Sequence, residues 1–155
     1  MAGRVEAIRV TPAGGAPMVS VDRVAAYAGR GLDGDRYHLG TGEYSSSSNT
    51  AGRGLTLVAV ESLAAANAEH PGLDVTPEET RRNVTVSGVD LDALIGREFR
   101  LGSVRCAGVR LAEPCAYLEG RLGRPILRQL AHRAGLRADI LEDGEIAVGD
   151  EVVPA

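Results

Sequence analysis

The sequence predicts a mainly β (α+β) chain, a bent, barrel-like mixed β-sheet with a few covering helices. Two observations carry that expectation. Short apolar runs with strand periodicity recur along the 155 residues, separated by Gly-rich corners, while segments of helical periodicity are few. Aromatics are scarce (one Phe, four Tyr, no Trp), so Val, Leu, Ile and Ala must build the core. No internal repeat or linker interrupts the chain, and residues 1–155 read as a single domain, long enough to bury about 70% of its unfolded surface.

The elements follow in order. "VEAIRV", from Val5, alternates like a half-buried strand, and "MVSVDRVAAY", Met18 to Tyr27, reads as a second; "TPAGGAP" between them is turn chemistry. Ala28–Gly54 is a long Gly- and Ser-rich loop with the Ser45–Ser48 run and Asn49 at its tip, and loops of that length tend to be functional. "LTLVAV", Leu55 to Val60, is a continuous β-branched run and hence a buried strand; "ESLAAANAEH" follows as a helix stopped by Pro71-Gly72. Thr76, Pro77 and Glu79 form a capping-box signature that delivers the chain into a strand carrying Val84 and Val86. "VDLDALIG" is a short helical or turn segment. "REFRLGSVRCAGVRL" reads as two strands broken at Gly102-Ser103 and bent at Gly108. "RPILRQLAHRAG" is the strongest helix pattern, with Ile126, Leu127, Leu130 and Ala131 on one face and Gly135 as cap. The last segment predicts a hairpin turning at Asp143-Gly144.

Composition narrows the chemistry. A net charge of −4 and the lack of aromatic platforms argue against a nucleic-acid partner. All 17 basic residues are Arg, so a pyridoxal-phosphate Schiff base and a lysine-dependent P-loop are excluded. Arginine holds anions and does not shuttle protons. No apolar run reaches the roughly 18 residues of a membrane span, and "MAGRVEAIRV" lacks the apolar core of a signal peptide. The expectation is a cytoplasmic chain with no membrane partner and with reduced thiols.

Two cysteines remain, nine residues apart, a spacing that matches no zinc motif. Cys106, in "SVRCAGV", reads as core. Cys115, in "LAEPCAYLEG", reads from its neighbours alone as buried filler, nucleophile or ligand; a Cys106–Cys115 disulfide is disfavoured by compartment. Three Arg-rich spots are distant in sequence: Asp35, Arg36 and His38; Arg81, Arg82 and Asn83; His132, Arg133 and Arg137. Each has an ordinary explanation as a tight turn, a solvated helix end or a helix C-terminus with cations on its dipole. Together they could line one cationic pocket around Cys115, surroundings that favour thiolate. His132 is the proton-transfer candidate by its side-chain chemistry, and Asp35 reads as a brace for its loop.

In order and spacing, "GLDGDRY", "LTLVAVES", "RRNVTVSGVDLDALIGREFRLG", "LAEPC" and "HRAGLRADILEDGEIAVGDEV" resemble the MOSC domain, found at the C-terminus of molybdenum cofactor sulfurases and in small stand-alone proteins. The resemblance spans about Val5 to Val153. It implies a barrel-like fold whose cleft holds the family's cysteine, matched here by Cys115 through "EPC". It also implies an anion-holding pair matched by Arg82 and Asn83. Family members carry sulfur on that cysteine or use it to ligate molybdenum in a pterin cofactor, so molybdopterin is the implied cofactor, and Arg36, Arg133 and Arg137 would assist in holding it. The expectation is a chain without the larger members' extra N-terminal β domain and desulfurase domain. A sulfur donor such as a cysteine desulfurase would therefore be a partner.

The leading expectation is sulfur handling at Cys115, as a persulfide passed to a small anionic or molybdopterin-type acceptor. The alternatives are an oxidoreductase component with Cys115 on molybdenum, and a non-catalytic pterin-binding module.

Overall fold

The computed structural model describes residues 3–39, 51–52, 54–114, 116–123 and 126–154. Its first elements are β1 (Gly3–Val10), β2 (Val19–Val21), β3 (Arg23–Tyr27), β4 (Gly31–Leu32) and α1 (Arg36–Leu39). The middle of the chain forms β5 (Leu55–Ala59), α2 (Val60–Glu69), β6 (Val84–Ser87), β7 (Glu98–Leu101) and β8 (Val104–Leu111). Then follow α3 (Ala116–Leu122), β9 (Leu136–Ile140), β10 (Gly144–Ala147) and β11 (Glu151–Pro154).

Seven strands close a mixed barrel in the order β1-β6-β5-β9-β8-β7-β11, with β11 returning to β1 and β2 attached to the outer side of β1. Closure removes free edges from those seven strands. Every pairing is antiparallel except β5–β6, and that parallel pair needs a long crossover. The connection from Val60 to Asn83 supplies it through α2, then a 3₁₀ turn at Glu78–Thr80. The capping box forms reciprocally: Thr76 N–H donates to Glu79 Oε1 at 3.0 Å, and Glu79 N–H donates to Thr76 Oγ1 at 3.3 Å.

Strand parity explains the burial. In β1 the register against β6 slips between Val5 and Ala7, so the inward set passes from Val5 to Ile8 and Val10 across a bulge. All of β5 is buried: Leu55, Leu57 and Ala59 join the barrel core, while Val58 faces a second cluster with Leu63, Ala66, Leu118, Ile126 and Leu130. The continuous apolar run is thus a strand covered on both faces. Phe99, the one phenylalanine, is fully buried in the barrel. Gly108 bends β8 beside Leu94, whose carbonyl oxygen leaves no room for a Cβ there.

Four local expectations need correction. Met18–Tyr27 is two strands, because the chain leaves β1 at Asp22 and enters a separate sheet ordered β10-β3-β4. The start of the Ala28–Gly54 loop is structured by β4 and α1, whereas the Ser45–Ser48 tip with Asn49 lies outside the described residues. No hairpin forms at Asp143-Gly144: β10 pairs with β3, and the Asp143 carboxylate accepts the Ala28 N–H at 2.8 Å.

The strongest helix pattern fails over its described residues 126–134, which form successive turns. Ile126 and Leu130 are buried as the pattern required, but Ala131 is only half-buried, Leu127 is exposed and His132 adopts a left-handed φ of 64°. Carboxylates take amides of the segment: Glu119 Oε2 accepts Ile126 N–H and Leu127 N–H, at 2.9 and 3.2 Å, as a cap would. Gly135 is no helix cap; a Cβ there would strike the Leu57 carbonyl oxygen, so the glycine admits β5. The helix of this region is α3, weakened as a pattern by Gly120 but carrying Leu118 and Leu122 at helical spacing.

Candidate functional site

Of the expected site residues, Arg82 reaches the connection between β8 and β9, His132 and Arg133 lie in it and Arg137 follows it on β9, whereas Asn83 and Arg36 are engaged elsewhere. That connection begins at Ala112, where the Ala112 N–H donates to the Gly135 carbonyl at 2.8 Å and closes the excursion at its base. Arg82 shares strand parity with Val84 and Val86, whose side chains fill the barrel. Its buried guanidinium donates from Nε to Ala134 O at 2.8 Å and from Nη2 to Ala112 O at 2.8 Å and Glu113 O at 3.3 Å. One cation thus ties both ends of the excursion to β6.

Asn83 is fully buried and used on both sides. Its Oδ1 accepts the Thr56 N–H and hydroxyl, each at 3.1 Å, and its Nδ2 donates to Arg9 O at 3.1 Å. The amide welds β5, β6 and β1 together. Arg36 is buried against Asp35 at 3.1 Å, donates to Arg81 O at 3.1 Å, and lies over the Tyr37 ring. Asp35 in turn accepts the Thr11 N–H at 3.2 Å, the bracing role read from its loop. Arg133 pairs with Glu69 at 2.6 Å, and Arg137 lies on β9 opposite Thr56.

His132 is brought to the excursion by a residue that sequence reasoning passed over. The Glu113 carboxylate accepts the His132 N–H on Oε1 at 2.6 Å and meets the imidazole Nδ1 on Oε2 at 2.9 Å. The only signal for it was its position two residues before Cys115. His132 also lines a cleft of about 560 Å³ with Glu61, Ser62, Asp92, Ala131 and Arg133.

Of the two cysteines, the structure describes Cys106. Cys106 is buried in the barrel, and burial first, then the nearby Glu142 charge, pushes its thiol from 9.0 up to about 12. It is a core residue with negligible thiolate near neutrality. Cys115 lies outside the described residues; its chain neighbours Glu113 and Pro114 on one side and α3 on the other are described.

A family model described as the MOSC domain matches residues 33–153. The chain belongs to the MOSC domain family. The YuaD protein of Bacillus subtilis is similar at 19% identity and a TM-score of 0.79, covering 98% of this chain and 94% of that one. YiiM of Geobacillus stearothermophilus is similar at 17% identity and a TM-score of 0.71, covering 99% and 75%. YiiM of Escherichia coli follows at 18% identity and 0.69, covering 98% and 69%. At such identities the likeness is one of fold. A search of curated proteins found no match.

The molybdenum cofactor that the resemblance implies would need polar donors turned to a phosphate and a pterin. Asn83 and Arg36 do not fit that task as they stand, because their amide and guanidinium groups hold backbone carbonyls, Thr56 and Asp35, and Arg82 gives Nε and Nη2 to backbone carbonyls. No group of three or more metal-ligating side chains occurs among the described residues. None of the described helices is long and apolar enough to cross a membrane.

Proposed function

We propose that this MOSC protein handles sulfur at Cys115, with His132 as its proton partner. The observation that carries this reading is the grip of Glu113 on His132. Two residues of chain span at most about 7 Å. Glu113, which holds the imidazole, therefore stands close to Cys115 along the chain, and the reading pairs that thiol with His132 because a neighbouring base is what activates a cysteine. Burial removes Cys106 as a rival.

In the proposed reaction His132 accepts the Cys115 thiol proton. The thiolate attacks the terminal sulfur of a donor persulfide, of the kind formed on a cysteine desulfurase. A new S–S bond forms on Cys115 and the donor's S–S bond breaks, releasing the donor thiolate. A nucleophilic acceptor then takes the outer sulfur, and the Cys115 thiolate leaves. With Arg82 and Asn83 holding backbone and Thr56, we assign them to support of this site and place no acceptor on them.

The test is native mass spectrometry of protein purified without reductant from a host that makes molybdenum cofactor, beside Cys115→Ser. The reading expects an increment of one sulfur atom that is lost on reduction and in the variant. A molybdopterin-sized adduct would replace it with a cofactor-binding role, Cys115 dependence marking ligation. Bare protein in both samples, even after incubation with a persulfide donor, would overturn it.

A further inference from the structure

We infer that Glu113 is a positioning residue that fixes the His132 imidazole in one tautomer, with the proton on Nδ1 and Nε2 left as the acceptor. This rests on the reading of His132 as proton partner of the sulfur chemistry. An ionised carboxylate only accepts hydrogen bonds, so a neutral imidazole 2.9 Å from Glu113 Oε2 must carry its hydrogen on Nδ1. Free histidine prefers the opposite tautomer, so Glu113 reverses the default.

Three features show that the arrangement is built. Glu113 uses both oxygens on one residue, binding the His132 main chain and ring together. The two-point grip coincides with a left-handed backbone at His132, a conformation that costs a non-glycine residue energy and persists where its surroundings hold it. The carboxylate itself hangs from a main chain fixed by Arg82 through the Ala112 and Glu113 carbonyls. Base, orienting carboxylate and anchor form one series leading from the barrel to the residue two positions before Cys115. The ring's open nitrogen belongs to a side chain that is 74% exposed and borders the cleft with Glu61, Ser62 and Asp92. A proton acceptor there serves a thiol, hydroxyl or amine donor.

Glu113→Gln tests this with little change of shape. Glutamine's oxygen can still accept the His132 N–H, but its amide donates to Nδ1 and forces the hydrogen to Nε2. The chain has three histidines, His38, His70 and His132, so long-range ¹H–¹⁵N spectra of the imidazoles are readily assigned with single variants. At a pH where His132 is neutral, the expected wild-type pattern is a protonated Nδ1 and a bare Nε2, reversed in Glu113→Gln with His38 and His70 unmoved. A wild-type His132 protonated on Nε2, or the same tautomer in both proteins, would overturn the inference. The wild-type spectrum decides even if the variant fails to fold.

Sulfur loading of the same samples from a persulfide donor separates the two claims. Loading at Cys115 that slows about tenfold or more in both Glu113→Gln and His132→Gln supports the positioning role. Equal loading rates across the pH range in all three would remove it while leaving Cys115 as the carrier. No loading in wild type would remove the sulfur reading and leave the tautomer to the spectra.

Discussion

The barrel and the Ala112–Gly135 excursion share strands β8 and β9 but are held by different forces. The barrel is an apolar cluster, from Val5 to Val152, whose members alternate with outward side chains. The excursion buries a few side chains against β5, yet its course is set by polar ties: Arg82 on three carbonyls, Glu113 on His132 and Glu119 on the Ile126 and Leu127 amides. Burial alone supports a wall, whereas directed hydrogen bonds fix the orientation of individual side chains. The proposed proton partner, His132, lies on the second kind of structure.

The largest expected effect breaks the junction of the two regions. Gly135→Ala places a Cβ on the Leu57 carbonyl at a φ of 123°, and should cost roughly 4 kcal/mol by urea denaturation, or prevent folding. Gly149→Ala is the control: it shares a positive φ but meets open space, so about 1–2 kcal/mol of strain is expected. Equal losses at the two sites would show that contact with β5 contributes nothing.

Arg82→Met keeps length and apolar stem but abandons the Ala134, Ala112 and Glu113 carbonyls. A loss of about 3 kcal/mol is expected, with faster amide exchange in the excursion than in β7 and β11. Uniform loss of protection would place Arg82 in the barrel's support alone.

The barrel has its own pH signature. Cys106 holds its proton to about 12 when folded and to about 9.0 in its ordinary state, so the folded chain binds more protons between those values. Its contribution is intact below pH 9 and fades as pH rises towards 12. Cys106→Val should therefore show a shallower loss of stability over that range than wild type. Smallest of all, Glu119→Ala removes acceptors from two amides and should cost about 1 kcal/mol, seen as a shift in thermal midpoint.

The same contrast decided what could be read in the sequence. Barrel strands announce themselves by alternation, by the unbroken run at Leu55–Ala59 and by glycine bends such as Gly108, because packing imposes a period. The excursion carries a helical period that its backbone follows only in α3. "RPILRQLAHRAG" places Ile126 and Leu130 correctly on a buried face, yet its backbone forms turns and Glu113, nineteen residues away, takes the His132 amide. Asp143-Gly144 resembles a hairpin turn, but the carboxylate is used on Ala28 at the end of β3, the strand that pairs with β10. Cys106 was legible as core and Asp35 as a brace. The uses of Arg82 and Asn83 were not, since a guanidinium or amide that holds a carbonyl has the same sequence as one that holds an anion.

The account's central claim is that this chain's sulfur chemistry belongs to Cys115 and that Cys106 is barrel core. Alkylation of the native protein by iodoacetamide from pH 6 to 10, with each cysteine peptide quantified by mass spectrometry, tests it most directly. The account predicts modification at Cys115 already near neutral pH, with Cys106 unmodified until the barrel unfolds. Cys106 reacting as readily in the folded protein, or Cys115 remaining inert up to pH 10, would contradict it.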